Sequence, residues 1–203
     1  KELYRSSINK LALFFIPATV FLIFMAEPLI VTLFTETYSD SVPIFMIYLI
    51  LLPTYALNLR WILMASGQTN FLLKLAVSMS IINVILSYGF LMTLEGDNRL
   101  LGIPFSTVLV TWLATFIVMN RSLATLGSSV LETYPLKEMW ILTAISLVAA
   151  LPVILVSSLG LPNIVTLILS GFLFKIVWLS LCLKFKLVGD DEIKLAKSFL
   201  PFK

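Results

Sequence analysis

Three ionisable side chains of this 203-residue chain fall inside long apolar stretches: Glu27 in Ala26-Glu27-Pro28, Arg60 beside Trp61, and Lys175 in Ser170-Gly171-Phe172-Leu173-Phe174-Lys175. A charge at the centre of a hydrocarbon layer costs roughly 2.5–3.5 kcal/mol on insertion scales, which makes each a candidate for function. Glu27 could bind a coupling cation or a proton, with Pro28 disturbing the helix and freeing nearby carbonyls; the alternative is a carboxylate at the outer interface. The planar fork of Arg60 suits a phosphate, although an arginine snorkelling beside a belt tryptophan is ordinary and is the simpler account. Lys175 lies roughly two-thirds of the way to the cytoplasmic side, where its stem can reach the head groups.

Neutral polar residues add one more candidate for a substrate or ion pathway, Asn83, which shares a helix face with Ser80 and Ser87. Thr107, Thr111 and Thr115 form a similar stripe at i, i+4 spacing, and both stripes read as helix-packing contacts. The chain has no histidine and a single cysteine, Cys182. An internal disulfide, a Cys/His zinc site and a histidine general base are thereby excluded. The acidic residues form no close pairs, and HExxH, GxSxG and P-loop patterns are missing. The expectation is a protein that is not an enzyme, with no metal and no cofactor. No arginine-rich, aromatic-interleaved stretch points to nucleic acid.

The elements that must position these residues are set by composition. Hydrophobic side chains make up 60% and charged ones 12%, against roughly 45–50% and about 25% in soluble domains, and mean hydropathy is +1.04. Charge-free runs such as Leu75 to Leu94 and Leu100 to Asn120 reach the roughly 20 residues that cross a bilayer. Six spans are predicted: Leu11 to Phe34, Val42 to Ala65, Phe71 to Leu94, Leu100 to Ala124, Trp140 to Ser158 and Asn163 to Lys184. Continuous apolar character without period-two alternation excludes barrel strands. The fold class is therefore an all-α integral membrane bundle of six helices. Pro17, Pro53 and Pro152 fall inside spans and predict kinks there.

Basic residues concentrate in alternate connections: Lys1, Arg5 and Lys10, then Arg60 and Lys74, then Arg121 and Lys137, then Lys184, Lys186, Lys194, Lys197 and Lys203. The other connections carry Glu36, Asp40, Glu95 and Asp97 against Arg99. Retention of positive loops inside places both ends in the cytoplasm, with the chain in the cytoplasmic membrane. The N-terminal residues lack the pattern of a signal peptide, and a start at Lys1 suggests a piece of a longer protein. The expected organisation is a cytoplasmic segment over 1–10, a four-helix unit over 11–126, a cytoplasmic loop over 127–139, an additional helix pair over 140–186 and a tail over 187–203. In the tail, Ile193, Ala196, Phe199 and Leu200 recur opposite Lys194 and Lys197, as in an interfacial helix on anionic lipid or a frayed terminus.

The order of the turn signals carries a resemblance. Ala26-Glu27-Pro28-Leu29-Ile30-Val31-Thr32-Leu33-Phe34 followed by Tyr38-Ser39-Asp40-Ser41-Val42-Pro43-Ile44, then Ile62-Leu63-Met64-Ala65-Ser66-Gly67-Gln68-Thr69, Ile82-Asn83-Val84-Ile85-Leu86-Ser87 and Glu95-Gly96-Asp97 to Val108, resembles the C-terminal half of polysaccharide flippases. These belong to the multidrug/oligosaccharidyl-lipid/polysaccharide exporter superfamily. Thr35 stands where that family often has glycine, and Ile103-Pro104-Phe105 replaces a run of alanines and glycines; both departures concern local packing. The resemblance implies a two-lobed transporter of about fourteen spans working by alternating access. Its partners would be membrane lipids, a lipid-linked oligosaccharide of the polyprenyl-phosphate type, and an N-terminal lobe of the same chain. It also implies a cavity lined mainly by helices outside these residues, so that this part is largely scaffold. Two further readings are a cation-coupled multidrug exporter of the same superfamily and a non-transporting anchoring or assembly subunit.

Overall fold

A computed structural model describes residues 2–96, 98–185 and 187, which are helical apart from short connections and include no strand. Six helical segments are long and apolar enough to cross a membrane, and the protein is an all-α, multi-pass membrane bundle. The helices are α1 (Glu2–Phe24), α2 (Ala26–Phe34), α3 (Val42–Leu49), α4 (Leu52–Leu57), α5 (Arg60–Ala65), α6 (Thr69–Thr93), α7 (Asn98–Leu126), α8 (Val130–Thr133), α9 (Leu136–Ser157) and α10 (Asn163–Lys184), with a 3-10 segment over Glu36–Ser41. Asp97 and the tail predicted to lie on lipid, apart from Leu187, fall outside the described residues.

The first predicted span, Leu11 to Phe34, is two helices. Pro28 has no N–H to offer the carbonyl of Phe24, and the chain leaves helical geometry at Met25 (φ −104°, ψ 11°) before resuming as α2. The membrane-length stretch is accordingly earlier, Tyr4–Phe24. The second predicted span, Val42 to Ala65, is three helices. Pro53 withholds a donor from Leu49, and the backbone crosses the gap on tighter i→i−3 bonds, Ile50 N–H to Ile47 O at 3.2 Å and Leu51 N–H to Tyr48 O at 3.0 Å. At the next break Asn58 turns extended (φ −81°, ψ 108°), and its Oδ1 accepts the Arg60 N–H at 2.9 Å. Pro17 and Pro152, by contrast, lie within unbroken helices.

The loop expected over 127–139 is folded into the bundle. Ser129 and Glu132 form a capping box that starts α8, Thr133, Tyr134 and Pro135 are buried, and α9 begins at Leu136 rather than at Trp140. Arg5 on α1 pairs with Glu138 on α9 at 3.2 Å, both side chains more than a third exposed, a pair that adds little to stability.

Lipid tails are as apolar as leucine, so helices in a membrane gain by close packing rather than by leaving water. Small side chains supply that closeness: Ala12, Ala56, Ser146, Ala149, Ala150 and Ser170 are almost wholly buried. Through them α1 packs on α4, α9 and α10. The broken span α3–α5 lies between α1 and α7, joined near one end by Ile8, Leu59, Ile62, Leu123 and Tyr134. Helix α6 is peripheral: it packs on α7 and α5 and buries no residue fully.

Thr35, at the end of α2, has φ 76° and ψ 168°. This region is essentially restricted to glycine, and a β-branched residue held there carries about 1–3 kcal/mol of strain. The position is the one where the flippase pattern often has glycine. Thr35→Gly is expected to raise the unfolding midpoint of the protein in detergent, because strain relief exceeds the roughly 0.5–1 kcal/mol by which glycine favours the unfolded chain. A lowered midpoint would contradict the assignment of strain.

Candidate functional site

Helices α5, α6 and α7 enclose a cleft of about 220 Å³ lined by Arg60, Ser80, Asn83, Thr107 and Thr111 among apolar neighbours. Two of the residues singled out by sequence, Arg60 and Asn83, therefore share one space. Arg60 reaches it because the break at Asn58 restarts the chain as α5 with Arg60 as its first residue. Its guanidinium makes no hydrogen bond or ion pair among the described residues, and no carboxylate lines the cleft. A cationic fork, an amide and hydroxyls in a low-dielectric setting attract an anion and repel a cation.

Asn83 also fastens the wall of the cleft. Its Nδ2 donates to Thr107 Oγ1 at 3.4 Å, and its Oδ1 accepts from Ser106 Oγ at 2.9 Å. Ser106 is fully buried, and its hydroxyl lies 2.5 Å from that of Ser87. This network agrees with the packing role read from both stripes. Three further hydroxyls bond to their own helices, Thr107 to Ile103 O at 3.1 Å, Thr115 to Thr111 O at 2.8 Å and Ser80 to Ala76 O at 2.9 Å.

A discontinuous span inside a bilayer needs partners for the carbonyls it frees. Three side chains from elsewhere reach carbonyls at the breaks, Leu59 O accepting from Ile62 N–H as well. Trp112 Nε1 donates to Ile50 O at 3.2 Å, Ser122 Oγ to Leu59 O at 3.2 Å, and Tyr134 Oη to Leu57 O at 2.8 Å. None of the three was singled out by sequence reasoning. Pro53 and Asn58 signal that the span must break, but which side chains answer is set by packing across residues far apart in the chain. Burial pushes the Tyr134 phenol well above its ordinary range, favouring the neutral form that donates this bond. The resulting stability is fully present below the unfolded value of about 10 and is lost as pH rises through the raised value. Tyr134→Phe is expected to cost about 1 kcal/mol and to flatten the alkaline fall in thermal midpoint above pH 10. An unchanged alkaline fall would show that Tyr134 is not its source.

Glu27 stands apart from this site. It is exposed on α2 and lines a second cleft, of about 550 Å³, with Ser157, Asn163 and Thr166. Near the end of α7, Arg121 Nε donates to Gln68 Oε1 at 2.8 Å, Gln68 Nε2 donates to Thr125 Oγ1 at 2.9 Å, and the guanidinium lies 5.5 Å from the Phe71 ring centroid. Arg121 is thus committed to structure, whereas Arg60 is available. No group of three or more potential metal ligands occurs among the described residues. The chain matches no protein-family model, no curated protein and no solved structure.

Proposed function

We propose that this chain is the C-terminal part of a flippase that moves a lipid-linked oligosaccharide across the cytoplasmic membrane by alternating access. The observation that carries the reading is the cleft that Arg60, with no hydrogen-bond or ion-pair partner among the described residues, shares with Asn83, Thr107 and Thr111. Its donors and its lack of carboxylates suit a phosphate-bearing head group. The broken span beside it agrees with how transporters place discontinuous helices at their sites. The resemblance over residues 26–124 supplies the family. No covalent chemistry is required: the polar head must be shielded while the prenyl tail stays in lipid, and an N-terminal lobe of the same chain completes the cavity. Both ends of this part face the cytoplasm in this reading.

The cleft at Glu27 favours the runner-up, a cation-coupled multidrug exporter of the same superfamily, since a carboxylate with amide and hydroxyl neighbours suits a cation. Deleting the intact gene from its own host and restoring it separates the two. Loss of surface glycan on deletion, with lipid-linked precursor retained in the inner leaflet and recovery on complementation, is expected of the flippase. Normal glycan with raised sensitivity to cationic drugs would overturn it in favour of the exporter.

A further inference from the structure

Lys175 is the one charged residue of α1, α6, α7, α9 and α10 that stands nine or more residues from both ends of its helix. Nine residues separate it from Lys184 and twelve from Asn163, about 14 Å and about 18 Å along the axis, which puts its backbone near mid-depth of a hydrocarbon layer roughly 30 Å thick. Side chains on a helix lean toward its N-terminus. The Lys175 stem therefore starts toward Asn163 and the middle of the layer, away from the nearer surface that snorkelling would seek. It lines a groove of about 280 Å³ between α1 and α10 with Phe14, Pro17, Ala18, Gly171 and Trp178. Lys175 is exposed and has no hydrogen-bond or ion-pair partner among the described residues.

The interior beneath the same groove holds a second uncompensated donor. The Trp178 Nε1 donor is buried and has no acceptor, although buried indole N–H groups ordinarily find one. One turn of α10 thus presents an ammonium to a groove whose other side chains are apolar or small, above a buried indole N–H that lacks an acceptor among the described residues. Acyl chains hold no acceptor, and lipid phosphates lie at the surfaces. A second copy of this chain offers no match either, because none of the long helices carries a carboxylate at that depth.

We propose that this groove seats a further transmembrane helix, from outside these 203 residues, whose aspartate or glutamate pairs with Lys175 near mid-membrane. Ala18 and Gly171 allow a helix to approach closely, and an ion pair is how an intramembrane charge is ordinarily accommodated. The inference is independent of what the protein transports.

The test uses membranes from cells producing the intact protein, treated with dicyclohexylcarbodiimide, a membrane-permeant reagent that condenses a lysine amine with a carboxylate in contact, followed by digestion and mass spectrometry. The expected product joins Lys175 through an amide to an aspartate or glutamate within an apolar run of about 20 residues. The linked peptide names the helix and the chain that carries it. Its yield should fall at least tenfold in Lys175→Arg, which keeps the charge but not the reactive amine. Recovery of Lys175 unmodified, its ready labelling by a water-soluble amine reagent, or its coupling to a lipid phosphate would each overturn the proposal.

Discussion

Gly102→Leu is expected to part α6 from α7 and to destabilise the protein by about 3 kcal/mol or more, at the upper end of what overpacking costs. At Gly102 the backbone of α7 approaches α6 closely. A Cβ placed on it would overlap the Cβ of Phe90 and approach the Phe90 ring and Leu94 at 3.2 Å and 3.3 Å. A Cβ is fixed to the backbone and cannot swing aside, so the helices themselves must separate. Separation also breaks the Asn83, Ser87, Ser106 and Thr107 network along the same seam, which leaves buried Ser106 short of partners. Because α6 packs chiefly on α7, with a smaller contact to α5, little else holds it. Thermal unfolding in detergent reads the loss. A double-mutant cycle of Gly102→Ala with Phe90→Gly gives a sharper test, since removing the obstructing Cβ should yield a stabilising coupling energy. Additive effects of the two changes would mean that this contact does not set the interhelical distance.

Under the proposed flippase function, Arg60→Gln is expected to lower glycan export ten- to hundredfold at unchanged protein level, the equivalent of one charge-assisted hydrogen bond to a phosphate, about 1.5–3 kcal/mol. Arg60→Lys should recover only part of this, because an ammonium supplies charge without the bidentate fork. The thermal midpoint should hardly move, since the Arg60 side chain has no partner among the described residues and is exposed. Surface glycan and inner-leaflet precursor, measured in the complemented deletion strain, provide the readout. Full export by Arg60→Gln would remove Arg60 from the substrate path.

Much of the architecture is legible one residue at a time. The run of apolar residues from Asn163 to Lys184 appears as α10 with those same ends, and the spans at Phe71 and Leu100 begin within two residues of α6 and α7. Local rules suffice there because a helix in hydrocarbon must satisfy its backbone within itself. They mislead where a proline competes with apolar length. Hydropathy carries the first span through Pro28 and the second through Pro53 and Asn58, yet the chain breaks near all three. Pro17 and Pro152 break nothing, so proline alone does not decide. At Pro53, Trp112 meets the freed Ile50 carbonyl, whereas the carbonyls opposite Pro17 and Pro152 are part of continuous helices.

The candidate site divides in the same way. Intramembrane polarity was enough to single out Glu27, Arg60, Asn83 and Lys175, because the cost of a polar group in hydrocarbon follows from its identity and depth. Their grouping was not in the sequence. Arg60 and Asn83 meet through the packing of α5 on α6 and α7, Glu27 is directed to another cleft by the bend at Met25, and Lys175 opens onto a groove shared with α1. Composition and run length act locally and additively, so a six-helix membrane protein is legible without any knowledge of packing. Packing across the chain sets which polar groups satisfy one another, which face outward, as Arg60 and Lys175 do, and which stay buried without a partner among the described residues, as the Trp178 indole N–H does, because such pairings depend on contacts between residues distant along the chain.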